Sequence, residues 1–170
     1  MNLLHFLSFQ GVWFAAVLGA AHGLGWPGPA ALVLHVALHL SGVSSAQRVR
    51  EVKALAWAGL AGLVMDSGLM HLGATVYPTS TIHFGLCPPW IVALWVGFAS
   101  LPRYSLAWLR GRTSLAALLG AVGGPLSYWG GTRTGAVALS DPWWISVAAL
   151  SVQYAVVTPL LLRWMPARSD

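Results

Sequence analysis

One acidic residue lies inside an otherwise apolar stretch of this 170-residue chain. Asp66 follows Gly62-Leu-Val-Met and is the only acid within a predicted membrane span. A charged side chain at that depth costs at least ~2.5–3.5 kcal/mol unless it is paired, neutralised or hydrated. Asp66 is therefore either a proton carrier, ligand contact or metal ligand, or a protonated side chain that hydrogen-bonds to a neighbouring helix. Both interpretations stay open.

Two histidines one helical turn apart are the next candidates. His35 and His39 have the i, i+4 spacing that places both imidazoles on one helix face. Such a pair can share a metal ion or haem, with His71 as a third candidate ligand, or it can pair with a carboxylate. We expect both histidines to face Asp66, and we favour a plain hydrogen bond between histidine and aspartate over a metal site.

Two further polar residues complete the candidate set. Gln153 lies in the middle of the last apolar stretch, and Tyr128 lies near the end of the stretch before it. Pro159 frees a backbone carbonyl one turn earlier, which either shapes a cavity or merely kinks the helix. The predicted ligand-binding residues are Asp66, His35, His39, Gln153 and Tyr128.

Sequence motifs of the common enzyme classes are absent. The chain has no phosphate-cradling glycine loop followed by lysine, no HExxH and no GxSxG. With one acid inside the apolar stretches, a single chain cannot form a membrane aspartyl dyad. Cys87 is the only cysteine, so no intramolecular disulfide can form. Catalytic residues and cofactors are left unassigned.

The composition indicates what surrounds these polar residues. The chain is 57% hydrophobic and 8% charged, whereas soluble domains carry about 25% charged residues. So few charges cannot cover a water-facing surface, and lipid is the expected solvent. Residues 1–170 are predicted to form one all-α transmembrane domain. The first stretch is expected to be a retained helix, because no Lys or Arg precedes it as in a cleavable signal.

Six stretches are predicted to cross the bilayer, since a crossing needs roughly 20 apolar residues. The fourth is too short unless it continues through Pro102 with a kink. The sixth follows Ser140-Asp141-Pro142, which is a helix start signal, and ends near Trp164. The other predicted spans are residues 3–21, 29–45, 54–74, 89–109 and 114–129.

The basic residues predict the orientation of the six spans. Alternate loops carry almost all of them, and the other loops hold only Arg133. Six spans put every basic loop on one side, so both termini are predicted to be cytoplasmic in a bacterial inner membrane. The net charge of +5 then reflects topology rather than a nucleic-acid partner. The basic residues on the cytoplasmic side are Arg48, Arg50, Lys53, Arg103, Arg110, Arg112, Arg163 and Arg168.

Small and polar residues share one face in three spans. Small residues let another backbone approach closely, so we expect these faces to point inward and Leu, Val and Trp to face lipid. The faces comprise Ala31, His35, His39, Gly42 and Ala46 in span two, Gly59, Gly62, Asp66 and Gly73 in span three, and Gly120, Gly124, Ser127 and Gly131 in span five.

Three stretches resemble a family of short bacterial polytopic inner-membrane proteins of unknown function. They are Gly62-Leu-Val-Met-Asp66-Ser-Gly-Leu, Pro89-Trp-Ile-Val-Ala-Leu-Trp95, and the segment from Ala117 to Gly130 that contains Gly-Gly-Pro-Leu-Ser-Tyr128. The resemblance covers nearly the whole chain. It implies a single multi-span domain without an assigned activity, and a role in envelope lipids.

Two functional hypotheses follow. The first is a non-enzymatic membrane component that binds or passes a small or lipidic molecule, or serves as a subunit of an envelope complex, with Asp66 as the central polar contact. The second is a membrane-embedded redox or lipid-modifying enzyme that depends on a metal or haem held by His35, His39 and His71. The expected partners are the lipid bilayer, a small hydrophobic ligand and a membrane protein.

Overall fold

The computed structural model describes residues 2–78 and 85–167, which form an all-α bundle, as predicted. Arg168 of the predicted basic tail and residues 79–84 of the predicted outer loop lie outside the described residues. The helices are α1 (Asn2–Ala21), α2 (Pro27–Ser41), α3 (Ser45–His71), α4 (Pro89–Ser100), α5 (Thr113–Thr134) and α6 (Trp143–Trp164). Two short strands, β1 (Thr75–Val76) and β2 (Ala138–Leu139), pair antiparallel and join the loops after α3 and α5.

Three of the described helices, α1, α3 and α6, are long and apolar enough to cross a membrane. The second helix is apolar but has 15 residues, and α5 has 22 residues with many glycines. The number of helices in the described part of the chain equals the number of predicted spans. The number of crossings itself stays a prediction.

Glycine and proline set the helix ends, as the sequence indicates. Pro27 opens α2 at a position where its missing N–H is not needed. Gly135 ends α5 in the left-handed conformation, with φ of 83°, which glycine adopts without steric cost. Proline does not end every helix, because Pro125 and Pro159 lie inside α5 and α6, which continue past them.

The fourth helix differs from the prediction of a span that continues to Leu109. It ends at Ser100, and short 3₁₀ turns follow at Leu101–Arg103 and Ala107–Leu109. Pro102 cannot donate the backbone hydrogen bond that would continue the α-helix. Twelve residues rise only about 18 Å, so α4 is too short to cross a ~30 Å hydrocarbon core by itself.

This short helix is the centre of the bundle. It packs against α1, α2 and α3, and more than half of its residues are buried. Close packing depends on glycine: a Cβ on Gly62 of α3 would overlap the indole ring of Trp95 in α4. Likewise, α5 and α6 pack so closely that a Cβ on Gly120 or Gly124 would overlap Tyr154. The predicted inward faces of spans three and five are thus confirmed at the buried Gly62, Gly120 and Gly124. The prediction is wrong for Gly42, Ala46 and Gly73, which are exposed because α2 ends at Ser41 and α3 ends at His71.

The exterior carries large apolar side chains, as a lipid-facing surface does. The most exposed among them are Leu3, Leu34, Leu72, Trp57 and Trp164, each with more than two thirds of its surface accessible. Ten tryptophans in the chain include Trp143 and Trp144, both exposed at the start of α6. A water-facing surface of this kind would aggregate.

Arg110 fixes the end of α6 to the segment that follows α4. Its guanidinium donates hydrogen bonds to the carbonyls of Leu162 (2.5 Å), Met165 (3.0 Å) and Pro166 (3.2 Å), and its Nε donates to Pro102 (3.1 Å). A cation at a helix C-terminus satisfies free carbonyls and complements the helix dipole. Burial lowers the pKa of Arg110, and the negative charge of Glu51 opposes that shift.

Candidate functional site

Asp66 lies at the centre of a buried polar cluster, and the aspartate itself has no accessible surface. The phenol of Tyr77 donates a hydrogen bond to Oδ1 across 3.4 Å. The phenol of Tyr128 also donates to Oδ1, and the indole N–H of Trp95 donates to Oδ2. We call Asp66, Tyr77, Trp95 and Tyr128 the Asp66 cluster. It joins α3, α4, α5 and the loop after β1 through four side chains.

The donors around Asp66 are all neutral groups. Each donor satisfies part of a carboxylate's capacity to accept hydrogen bonds, and none supplies a positive charge. Tyr154 of α6 extends the cluster, because its ring stacks on Trp95 with 5.4 Å between ring centroids. The partners of Asp66 are thus aromatic side chains of α4, α5 and the loop after β1.

Two groups beside Asp66 stay protonated at neutral pH. Burial raises the pKa of the Cys87 thiol to about 12, and the negative charge of Asp66 adds to that shift. The same two causes raise the pKa of the Tyr77 phenol far above its usual value. Tyr77 thus keeps the proton that it donates to Asp66. The backbone of Cys87 is held by Ser67 Oγ, which accepts its N–H across 2.9 Å.

A second buried polar cluster lies where α1, α2, α3 and the first 3₁₀ turn meet. His39 Nε2 is 2.8 Å from Glu51 Oε1, and His39 Nδ1 is 3.0 Å from His5 Nε2. Arg103 Nη1 donates to Glu51 Oε2 across 3.0 Å. We call His5, His35, His39, Glu51 and Arg103 the histidine cluster. Its acid and its arginine form an ion pair with less than a twentieth of either side chain exposed.

The geometry assigns the protons in part of this cluster. A carboxylate offers only acceptor sites, so Glu51 accepts a hydrogen bond from Arg103 and another from the N–H at Nε2 of His39. The Nδ1 of a neutral His39 then accepts a hydrogen bond from His5 Nε2. Hydrogen bonds thus run in one direction from His5 to the carboxylate.

His35 sits between two serine hydroxyls. Its Nδ1 is 2.8 Å from Ser8 Oγ, and its Nε2 is 2.8 Å from Ser100 Oγ. Each hydroxyl also lies within bonding distance of a backbone carbonyl, that of His5 or Gly97. A neutral imidazole carries one N–H, so one serine must turn its proton toward His35. A protonated imidazole would let both serines donate to carbonyls. The heavy-atom positions around His35 therefore fit either protonation state of the ring.

The predicted contact between the histidines and Asp66 is wrong. Among the described residues, the hydrogen-bond partners of Asp66 are Tyr77, Trp95 and Tyr128, and neither His35 nor His39 bonds to it. The reason is the depth at which α2 meets α3, because His39 contacts Glu51 and Asp66 lies about 22 Å further along α3. Helix spacing put the two histidines on one face correctly, but it did not show which turn of α3 lies opposite that face.

The other sequence-predicted residues lie apart. His71 contacts the Gly85 carbonyl (2.7 Å) near the far end of α3, so it does not join His35 and His39. Among the described residues, no group of three or more His, Cys, Asp or Glu side chains is arranged to hold a metal ion. Gln153 faces a shallow groove beside Met65, and its buried Nε2 has no hydrogen-bond partner in the part of the chain that the structure describes.

A cavity of about 480 Å³ lies between α1, α4, α5 and α6. Aromatic and aliphatic side chains form most of its wall, including Phe6, Phe9, Trp13, Phe98, Leu101 and Leu109. Of the five predicted ligand-binding residues, only Tyr128 lines it. The phenol of Tyr128 therefore connects the cavity wall to Asp66, which lies behind it.

Sequence reasoning missed five participants in these clusters. The residues that were not singled out as site residues are His5, Glu51, Tyr77, Trp95 and Arg103. The available signals were the His5-x-x-Ser8 spacing, which places both side chains on one helix face, and Glu51 within the basic run before span three. A single acid among basic residues is a candidate ion-pair partner.

Comparison with known proteins gives one match. A family described as "Protein of unknown function (DUF2878)" matches residues 2–160. No curated protein and no solved structure matches the chain. The match covers nearly the whole chain, so the chain belongs to this family of unknown function, and the resemblance noted from the sequence is confirmed at that level.

Proposed function

We propose that this member of a family of unknown function is a multi-pass protein of the bacterial inner membrane that binds an apolar or lipid-like molecule in the cavity between α1, α4, α5 and α6. The observation that carries the proposal is the cavity of about 480 Å³ with a mostly apolar wall. Ligand sites of small molecules typically enclose about 300–1,000 Å³ and are lined by apolar side chains with a few polar groups.

The position of the cavity supports access from lipid. The first and fifth helices contact each other much less than either contacts its sequence neighbour, α2 or α6. Residues of both helices that line the cavity are also exposed on the outside, among them Phe14 and Leu126. A gap between two helices with apolar rims is an entrance for a molecule dissolved in the bilayer, not for one dissolved in water.

Asp66 contributes to this site through Tyr128 rather than by contact with the ligand. Tyr128 forms part of the cavity wall, and its hydroxyl is bonded to Asp66. Trp95 has the same two roles, because its ring lines the cavity and its N–H donates to Asp66. Asp66 is thus a positioning residue that holds two aromatic wall residues in place.

Filling the cavity from a glycine tests the proposal. Gly123 lines the cavity, and a Cβ at this position would meet no atom within 4 Å. Gly123→Phe should therefore occupy the cavity without disturbing the helix packing. We expect covalent labelling of the purified protein by a photoreactive long-chain hydrocarbon to fall about tenfold, as expected when a well-filled site is blocked.

Gly68→Phe is the matched control. Gly68 is also helical, and a Cβ there would meet no atom within 4 Å, but Gly68 does not line the cavity. Labelling of this variant should equal that of the wild type. Equal labelling of Gly123→Phe, Gly68→Phe and the wild type would show that the probe attaches to the lipid-facing exterior, and the proposed binding site would then be wrong.

A further inference from the structure

We propose that Ser105 is an activated serine nucleophile with His5 as its general base, and that it hydrolyses the carboxylic ester of a lipid-like molecule whose acyl chain lies in the apolar cavity. The assignment of nucleophile and base is independent of the cavity, whereas the choice of an acyl chain rests on the proposed function. The supporting features are a directional set of hydrogen bonds that ends on a carboxylate, a serine hydroxyl at its other end, and a free backbone N–H on that serine.

The hydrogen bonds of the histidine cluster have the arrangement that activates a serine. A hydroxyl is a weak nucleophile until an adjacent base takes its proton, and that base is in turn oriented by a third group. His39 donates from Nε2 to Glu51 and accepts at Nδ1 from Nε2 of His5. Since a neutral imidazole carries one N–H, the Nδ1 of His5 is then an acceptor. The carboxylate of Glu51 thus fixes the tautomer of both rings.

Ser105 lies at the acceptor end of this set of hydrogen bonds. Its Oγ is 3.4 Å from Nδ1 of His5 and 3.4 Å from the carbonyl oxygen of Asn2. Long contacts of this kind are common between a nucleophile and its base before the substrate binds. Ser105 is partly exposed, whereas His5 is 2% exposed. The hydroxyl is therefore open to a substrate, while its base is shielded from water.

The two serines that bond to His35 do not meet these conditions. Ser8 and Ser100 lie on either side of that ring, and no carboxylate of the described residues bonds to it. Ser100 has no accessible surface, and the hydroxyl of Ser8 donates to the carbonyl of His5 across 2.8 Å. Ser105 is therefore the serine of this region that combines exposure with a base oriented by an acid.

The backbone of Ser105 offers a donor for the negative charge that develops during ester hydrolysis. The N–H groups of Tyr104, Leu106 and Ala107 each donate to a backbone carbonyl, but that of Ser105 makes no hydrogen bond within the part of the chain that the structure describes. A free N–H on the residue of the nucleophile itself is a donor of the kind that stabilises a tetrahedral oxyanion.

The apolar cavity comes close to both residues along the chain. Phe6 and Leu106 line it, and they directly follow His5 and Ser105. The contact of Ser105 with Asn2 places the serine at the first residue of α1, a helix long enough to cross a membrane. An acyl chain in the cavity would thus lie among apolar side chains, with its ester carbonyl at the end of the bundle where water is available.

The proposed reaction uses water as its co-reactant. Oγ attacks the carbonyl carbon while its proton passes to Nδ1 of His5, and the C–O bond of the ester then breaks as the leaving alcohol takes that proton. Water attacks the acyl-serine in the same way, gives a proton to His5 and releases the carboxylic acid, and the serine oxygen regains its proton from His5. His39 and Glu51 are positioning residues that orient His5 and stabilise its positive charge in each step.

A fluorophosphonate tests the nucleophile directly, because an activated serine attacks its phosphorus and displaces fluoride. The purified protein in detergent should incorporate one phosphonate, and mass spectrometry should locate it on Ser105. Ser105→Ala should abolish labelling, and His5→Ala should slow it at least ~100-fold. Added imidazole should restore part of the rate of His5→Ala, which loss of the fold would not allow. Ser41→Ala removes an exposed hydroxyl that donates to the carbonyl of Leu38, and it should label like the wild type.

The positioning role of His39 is tested by separating the rate of labelling from the affinity for the probe. His39→Phe leaves the base in place but removes its partner, so the maximal rate should fall at least about tenfold. The probe concentration that gives half of this rate should stay unchanged. An unchanged maximal rate would show that His39 does not act through His5.

Two fluorophosphonates of different length test the acyl chain. A probe with a long alkyl chain should label at about tenfold lower concentration than an ethyl probe, since the cavity buries its methylene groups, and Gly123→Phe should remove this advantage. No labelling, or labelling at a serine other than Ser105, would overturn the inference and leave hydrocarbon binding in the cavity intact. Equal labelling of Ser105 by both probes, in the wild type and in Gly123→Phe, would keep the nucleophile and contradict an acyl chain in the cavity.

Discussion

The Asp66 cluster and the histidine cluster each bury one acid completely, but they compensate it differently. Glu51 pairs with Arg103 and takes a further hydrogen bond from His39. Asp66 has the three neutral donors Tyr77, Trp95 and Tyr128, and no cation approaches it within the described part of the chain. One cluster balances charge with charge, whereas the other surrounds an acid with dipoles.

The difference indicates two kinds of role. The histidine cluster joins sequence-distant segments, because Arg103 also bonds to Gln47 Oε1 (2.9 Å) and to the Ala167 carbonyl (3.2 Å). Removing either Glu51 or Arg103 leaves the other charge buried without its counter-ion. The Asp66 cluster holds two aromatic walls of the cavity, so its loss should reshape the cavity more than it unfolds the bundle.

Removing the acid of the histidine cluster should have the largest effect on stability. Glu51→Ala leaves Arg103 buried without its counter-ion, and breaking a buried pair in this way costs about 3–5 kcal/mol. The free energy of unfolding should fall by that amount when the detergent-solubilised protein is titrated with a denaturing detergent. Asp141→Ala removes an exposed acid and should change it by less than ~0.5 kcal/mol. Similar values for the two variants would contradict a structural role for the ion pair.

Changing Asp66 should have an intermediate effect on stability and a larger one on binding. Asp66→Ala leaves three buried donors without an acceptor and should lower the free energy of unfolding by about 2–4 kcal/mol. Asp66→Asn keeps an acceptor for the tyrosines and should lower it by less. Both folded variants should label more weakly with the hydrocarbon probe, since Tyr128 and Trp95 lose their anchor. If both variants label like the wild type, Asp66 does not hold the cavity wall in place.

The smallest expected effect is on the reactivity of the Cys87 thiol, which can be measured in the wild-type protein. Because the pKa of Cys87 is raised to about 12, its thiol is protonated at pH 8, whereas an ordinary thiol of pKa ~8.5 is partly ionised. Maleimide should therefore modify the native protein at least ~100-fold more slowly than the denatured protein at that pH, as mass spectrometry would measure. Rapid modification of the native thiol would mean that the Asp66 cluster is open to water.

The sequence predicted the all-α class and most helix bounds because apolar length and Gly-Pro turns are local signals. The first and fifth helices begin within one residue of their predicted spans. The third begins nine residues earlier than predicted, at Ser45, because the charged run from Arg48 to Lys53 is helical as well. Charge alone does not end a helix. Because the charged run was predicted to lie outside the span, Glu51 was not expected on α3 beside His39.

The partners of the polar residues were less predictable. The sequence identified Asp66, His35 and His39 as inward-facing, and all three are buried. Which of them meet depends on which helices pack together, and the spacing along one helix carries no information on that. His39 of α2 meets Glu51 near the start of α3, far from Asp66, and this packing replaced the expected His–Asp pair with two separate clusters.

The bare backbone of Gly62 decides how far the indole of Trp95 can reach. The ring occupies the volume where any other residue would carry its first side-chain carbon, and from there its N–H meets Asp66. A residue with no functional group thus determines a polar contact one turn away. A search for functional positions by chemical type alone would pass over position 62, although a single methyl group there would displace the tryptophan from its acid.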